Sequence, residues 1–383
     1  VKKNVILAVA MGATALSAVA QSSQLKTAGN WEFYGRAHIS FDQLNDGNKY
    51  DRMNLSSNSS RVGFRGDKSF GDLKGIWQIE SEVLFTKTSD SSNAVTIPAL
   101  PVTGTTPTTT ATSINAPQDD KNRLATRDTF AGIEGSFGQV KVGKFDTPMK
   151  VAREAANLFG DQLGDMRNIT RTGAKFDERP NNIIQYQSPD MMGIRVALAY
   201  SPHEAATAVT SSAGVETKNA MTSMSATYNG GDFSAALAQE NYQANAKDGD
   251  RDATRLALSY KVMSDLKLVG FYQKANYMKT ATDDQGSKIT GFGAEYQIIP
   301  NHTVLRAHVM DRSANKVGMD TKMTAVGIDR IINKELRFYA NYATVSNGTA
   351  AAVTPWTEGR STNVAGSTGK DSKGLSLGMR YDF

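Results

Sequence analysis

Fixed charge, rather than nucleophilicity, is the chemistry this chain is equipped for. Its 383 residues contain no cysteine and four histidines, His38, His203, His302 and His308. A nucleophile would have to be serine or threonine, and no G-x-S-x-G elbow is present. H-E-x-x-H, a P-loop and a G-x-G-x-x-G opening a helix are absent as well. An enzyme is therefore not expected, nor is any cofactor or metal site. What stands out is ionic. Arg36 and His38 fall on one parity of an alternating stretch, Arg61 and Arg65 on one parity of the next, and Arg127 opens a third. Two arginines on one strand face repel unless acids or water face them. A second charged group, Arg153, Glu154, Asp161, Asp165 and Arg167, lies close together further along.

The elements that carry these charges are strands. The last eleven residues, Lys373 to Phe383, put Leu375, Leu377, Met379, Tyr381 and Phe383 on one parity and Ser376, Gly378, Arg380 and Asp382 on the other. That is the period of a strand with one apolar and one polar face. It runs to an aromatic carboxy terminus, as a strand would that closes a sheet on itself. Asn30 to Asp42 alternates in the same way, and Asp42 to Ser57 reads as a polar loop. Ser59 to Lys68 and Leu73 to Phe85 are strands about the turn Phe70-Gly71-Asp72. Thr86 to Asn122 is rich in Thr, Pro and Ser, without periodicity, and reads as a long loop. Arg123 to Ser136 and Gln139 to Phe145 are strands, although Phe130 and Ile133 fall on opposite faces of the first. Asp146 to Lys175 alone reads as helix, with Thr147 as N-cap, Pro148 at the first helical position, Val151, Ala155 and Leu158 on one face, and Gly160 to end it. Beyond it, strand pairs joined by short turns alternate with longer polar loops as far as Gly348 to Ser372, the last long loop.

About sixteen strands follow from this reading, with short turns at one end and long loops at the other, the asymmetry of a transmembrane antiparallel β-barrel. A closed barrel leaves no unpaired backbone edge in lipid. Tyr200, Tyr228, Tyr260, Tyr296 and Tyr381 recur near strand ends, as an interfacial girdle requires. At the amino end Lys2 and Lys3, the apolar run Val5 to Ala10 and Ala18-Val19-Ala20 make up a secretory signal, so residues 1–20 are expected to be cleaved and 21–383 to form one barrel. Past residue 20 no apolar run is long enough for a transmembrane helix. The formal net charge of +5 falls with Lys2 and Lys3, and a chain so near balance is not expected to bind nucleic acid.

Four stretches in this order resemble the Gram-negative general porins, the proteobacterial branch of sixteen-stranded trimeric barrels. They are Ser57 to Gly66 with Gly71 to Glu80, Arg127 to Gly132 with Phe137 to Lys144, Asn182 to Pro189, and the closing strand with Phe383. The resemblance implies a homotrimer in the outer membrane of a Gram-negative bacterium, in contact with lipid and lipopolysaccharide. It implies a passive channel for ions and small hydrophilic solutes. It also implies that the loop at about residues 146–175 folds into the lumen, its acids facing a ladder of bases on the wall. Thr86 to Asn122 would occupy the place of the second loop, which in related trimers reaches over the neighbouring subunit.

On that reading the wall of the constriction is Arg36, His38, Arg61, Arg65 and Arg127, and the loop side is Arg153, Glu154, Asp161, Asp165 and Arg167. Opposed rows of fixed charge put a field across the narrowest point, and that field together with the width sets selectivity. An outer-membrane barrel acting mainly as an adhesin is the alternative. Asn58-Ser59-Ser60 and Asn168-Ile169-Thr170 match the glycosylation pattern by chance. Asp42 to Gly47 fails as a calcium loop because Leu44 takes a ligand position. Asp248, Asp250 and Asp252 on an external loop are available to divalent ions shared with lipopolysaccharide.

Overall fold

In this computed structural model residues 29–86, 94–97, 112–115, 127–202, 220–243, 250–280, 282–362 and 364–383 are described. The signal at residues 1–20, most of Thr86 to Asn122, His203 and Asp248 lie outside them.

Sixteen antiparallel strands close into a barrel. They are β1 (Asn30–Asn45), β2 (Asp51–Ser57 continued by Arg61–Phe70), β3 (Leu73–Glu82), β4 (Thr129–Gly135), β5 (Gly138–Lys144), β6 (Ile183–Gln187), β7 (Ile194–Ser201) and β8 (Met221–Gly230). Then come β9 (Phe233–Tyr242), β10 (Arg251–Lys261), β11 (Leu266–Thr280), β12 (Ser287–Ile299), β13 (Thr303–Ala314), β14 (Thr321–Ile331), β15 (Leu336–Asn347) and β16 (Ser372–Asp382). β2 is one strand broken at Asn58–Ser60, since β1 pairs with both of its halves, the register shifting by one residue between them. β16 pairs with β1 from Arg36↔Asp382 to Asn45↔Lys373 and so closes the ring. Phe383 adds two backbone hydrogen bonds to Gly35.

Alternation sets which side chains meet lipid. Trp31, Phe41, Phe292 and Leu377 are exposed on the outer wall, whereas His38, Arg255 and Ser376 are buried on the inner one. This is the period of two turned inside out, as a lipid-facing barrel demands. It also settles the parity of β4. Ala131 and Ile133 face out, while Phe130 lies inside, edge-on to Phe145 at 5.8 Å and under Lys141 at 5.0 Å.

Two expectations are corrected. Asp42 to Ser57 is not a loop. β1 continues to Asn45 and β2 starts at Asp51, so only residues 46–50 turn. Met53 and Leu55 alternate outward there, a signal diluted by polar neighbours on both faces. Nor is Asp146 to Lys175 mainly helical. Thr147 does cap a helix, its Oγ1 accepting from Lys150 N at 3.2 Å, but α1 spans only Pro148–Ala152, followed by a 3-10 turn at Arg153–Ala155. A second short helix, α2, is Arg167–Thr170. The expected single apolar face is lost, since Val151 is exposed and Leu158 buried. Within the Thr86 to Asn122 segment, Ala94–Ile97 pairs with Thr112–Asn115.

The segment between β5 and β6 folds inside the barrel. Its Leu158, Phe159, Leu163, Met166 and Ile169 are buried against Ala257, Phe271, Ile289, Met310, Met323, Ala325 and Ala343 of the inner wall. Small wall residues make the room. Gly164, at φ +87°, lies so close to Ala325 that a Cβ would sit 2.5 Å from the alanine methyl, so no larger residue fits there. Burying such side chains stabilises by about 1.5–3 kcal/mol each, which holds an otherwise irregular loop in one place.

Candidate functional site

The inserted loop is clamped to one wall and leaves the other open. On the clamped wall Arg255 of β10, wholly buried, donates to Met149 O at 2.7 Å, to Gln273 Oε1 at 2.6 Å and to both carboxylate oxygens of Asp177. Arg306 of β13 donates to Leu158 O, to Gln162 Oε1 at 2.9 Å and to Asp329. Arg251 donates to Lys175 O at 2.9 Å, and Gln273 Nε2 to Thr170 O at 3.0 Å. These donors satisfy loop carbonyls that no helix ladder satisfies. Burial opposes ionisation of Asp177, but Arg255, Arg153 and Arg171 outweigh it and hold the carboxyl well below the usual carboxylate range.

The open wall is made by β16, β1, β2, β3 and the residues before β4. Arg36 and Arg61 are register partners on β1 and β2. Arg36 Nε lies 2.5 Å from Asp382, which also accepts from Arg380 at 2.8 Å. Glu80 is shared by Arg127 at 2.6 Å, by Arg61 at 3.5 Å and by the Tyr34 hydroxyl at 3.0 Å. Four guanidinium groups thus share two carboxylates. None is fully buried: the side chains of Arg36, Arg61, Arg127 and Arg380 keep 17%, 18%, 14% and 24% of their surface open.

Across from them stands Asp161, in the left-handed region at φ +59°. Its N–H donates to Asp165 Oδ2 at 2.7 Å, and Arg167 Nη2 donates to Asp161 and to Asp165 at 2.6 Å each. Burial would raise the Asp161 carboxyl, but Arg167 first, then Arg61, His38 and Arg127, hold it well below its ordinary range. No hydrogen bond or ion pair joins Asp161 to the wall arginines among the described residues. Base and acid therefore act on each other without a direct bond. The lumen continues on the far side of α1 as a cavity of about 490 Å³, lined by Lys141, Glu154, Gln185, Ser225 and Ser259 among others.

Of the residues singled out in the sequence, Arg36, Arg61 and Arg127 stand on this wall and Asp161 and Arg167 face it, with Asp165 holding Arg167. Of the other four, His38 is on the same wall but turned from the slot into a buried contact, and Arg65, Arg153 and Glu154 lie elsewhere. His38 is buried, its Nε2 2.9 Å from the Tyr339 hydroxyl. Arg65 pairs with exposed Glu32 and lies over the Tyr34 ring at 4.8 Å, toward the short-turn end. Arg153 is buried beside Glu154 at 3.1 Å and Asp177 at 3.8 Å, and Glu154 borders the cavity beyond α1. Sequence reasoning passed over Glu80, Arg380 and Asp382, whose polar parity was visible, and over Arg251, Arg255 and Arg306, which nothing in the alternation sets apart. It also passed over the last loop, where Arg360 is buried against Asp42. Among the described residues no cluster of three metal-ligating side chains occurs.

A family model described as Gram-negative porin matches residues 7–350. Outer membrane porin protein 32 of Delftia acidovorans is 23% identical over 359 residues, covering 91% of each chain. The major outer membrane protein P.IB of Neisseria sicca is 27% identical over 154 residues, 38% of this chain and 32% of that one. This chain thus matches about a third of the length of that relative. Among solved structures, an anion-selective porin from Comamonas acidovorans superposes with a TM-score of 0.68 at 19% identity, over 93% of this chain and all of that one. OmpT of Vibrio cholerae in its trimer form gives 0.63 at 16% identity, over 93% and 100%.

Proposed function

This chain belongs to the Gram-negative porins, and from that premise we propose that it is an outer-membrane channel through which ions and small hydrophilic solutes diffuse, anions ahead of cations. The observation that carries the ion preference is the row of Arg36, Arg61, Arg127 and Arg380 on the wall, of which Arg61 and Arg127 act on Asp161 of the inserted loop. On the wall four cations meet Glu80 and Asp382, with Glu82 beside them as the register partner of Arg61. On the loop Asp161 and Asp165 meet Arg167. The slot therefore carries excess positive charge on the wall, which is the lip with the greater number of charged groups, and excess negative charge on the loop. The first attracts anions. The field between the two orients dipolar solutes and disfavours apolar ones. No bond is made or broken.

The chain assembles as a homotrimer on this reading, supported by the trimer form of the Vibrio cholerae relative. Its outer face meets lipid and lipopolysaccharide. Asp250 and Asp252, at the loop end of β10, are the described acids available to divalent ions there. Residues 1–20 serve as a cleaved export signal. No observation favours the adhesin alternative. The deciding test is the reversal potential across a planar bilayer under a KCl gradient. Conductance steps in groups of three, with the sign of anion flow, are the expected result. A cation sign would overturn the ion preference, and folded protein that passes no current would overturn the channel.

A further inference from the structure

The last loop, between β15 and β16, does not stay outside the barrel. Trp356 is wholly buried in the same apolar cluster as Phe159, Leu163 and Met166 of the inserted loop. From there the chain runs across the lumen, touching the inserted loop on one side. Gly164 N donates to Pro355 O at 2.8 Å. Asn168 Oδ1 accepts from both Thr357 Oγ1 and Glu358 N at 3.0 Å, and Glu358 pairs with Arg171 at 3.1 Å. Gly359, at φ +73°, packs directly against the Arg167 guanidinium, where a Cβ would collide. On the other side the same few residues reach β1 and β2. Ser59 Oγ donates to Gly359 O at 3.0 Å, Ser361 N to Ser57 O at 2.8 Å, and Ser57 N to Ser361 Oγ at 2.8 Å. Arg360 is buried with Asp42, neither side chain having any exposed surface, and donates to Ser40 Oγ at 3.3 Å.

We propose that residues 355–361 form a strut spanning the lumen from the inserted loop to the β1–β2 wall, and that it fixes the distance between the Asp161–Arg167 lip and the wall arginines. Asn168, Gly359 and Arg360 are its positioning residues. The inference rests on the channel reading but adds a determinant to it, since the slot width is then set by two loops rather than one. Several features favour a fixed strut over a casual contact. Its two ends are bonded to different elements, its middle abuts Arg167, and its ion pair to the wall, Arg360–Asp42, is fully buried, which is tolerated only where geometry is kept.

The chain has no cysteine, so a clean cross-link is available. Ser57 and Ser361 are joined by two hydrogen bonds, so a cysteine pair there places the cross-link where the loop meets the wall. The full-length protein is measured in planar bilayers under a KCl gradient, with the unaltered barrel as reference. If the folded reference passes no current, the channel reading falls and this proposal with it. Given a conducting reference, Asn168→Ala and Gly359→Ala are expected to fold, to raise single-channel conductance and to move the reversal potential toward zero. The oxidised Ser57→Cys/Ser361→Cys protein is expected to keep the reference conductance and reversal potential with less current noise. A conductance drop on oxidation would mean that the loop normally stands clear of the lumen, and would overturn the strut. So would folded Asn168→Ala and Gly359→Ala proteins with reference conductance and reversal potential. Should either single variant fail to fold, the oxidised pair still decides.

Discussion

The two halves of the barrel interior use the same residue for opposite purposes. On the β10–β13 wall, Arg255 and Arg306 each meet several acceptors, carboxylates and loop carbonyls together, and have almost no exposed surface. On the β16–β2 wall, Arg36 and Arg61 each meet one carboxylate, share it with another arginine, and keep part of their surface in the lumen. A guanidinium held by several fixed acceptors at once is a fastener, and its charge is largely neutralised where it stands. A guanidinium with donors to spare projects its charge into water. The inserted loop is what separates the halves, since it covers one wall and faces the other.

The sharpest way to break this contrast is to remove a fastener. Arg255→Ala leaves Asp177 buried without its main partner and Met149 O without its donor. Losing one member of a buried pair costs about 3–5 kcal/mol. The expected outcome is a large fall in resistance to thermal unfolding, read by heat-modified electrophoretic mobility, with noisy, enlarged conductance in whatever folds. Arg61→Gln on the open wall is the counterpart. It is expected to leave thermal resistance nearly intact and to move the reversal potential toward zero. If the two variants behaved alike, the distinction between the walls would be lost.

A second sharpening comes from pH. Asp161 is held below its ordinary range in the folded state, so its ion pairs are fully present above the unfolded carboxylate range, near pH 4. They are lost only as pH falls through the depressed folded value. Asp177 on the clamped side behaves the same way. Selectivity is therefore expected to stay flat from neutral pH down past pH 4, then to turn more strongly toward anions as Asp161 is protonated. Asp161→Asn should show that stronger anion preference already at neutral pH. A reversal potential that drifts steadily between pH 7 and pH 5 would locate the controlling carboxylate elsewhere.

The alternation carried the fold well because lipid leaves no choice. Trp31, Phe41 and Leu377 must face out, so their parity is visible from the chain alone. It failed at Asp51–Ser57, where Met53 and Leu55 still face out but the intervening residues are polar. The site was half legible for a related reason. Parity places Arg36, Arg61 and Arg255 equally on the inside, but whether a lumenal arginine meets water or a loop depends on where that loop docks. Docking is decided by Leu158, Phe159 and Leu163 against Ala325 and Ala343, contacts between residues more than a hundred positions apart. No local pattern encodes them. The strut from Pro355 to Ser361 was missed on the same ground, since a polar stretch with two glycines nearby reads as an ordinary surface loop until Trp356 finds its apolar neighbours.

The mildest test concerns Arg65, which shares a strand face with Arg61 and so had the same claim to the constriction. In the fold it sits by the short-turn end, paired with Glu32, and both side chains are more than half exposed, at 55% and 56%. An exposed pair of this kind contributes about 0–1 kcal/mol. Beyond about 8 Å at physiological salt its field is largely screened. Arg65→Gln is therefore expected to change neither thermal resistance nor reversal potential measurably at physiological salt. A small shift is expected only in dilute KCl, where the screening length grows. If Arg65→Gln moved the reversal potential as far as Arg61→Gln at physiological salt, the controlling field would extend along the whole β1–β2 face rather than reside in the slot opposite Asp161. The three residues between Arg61 and Arg65 therefore measure how sharply the barrel confines its selectivity.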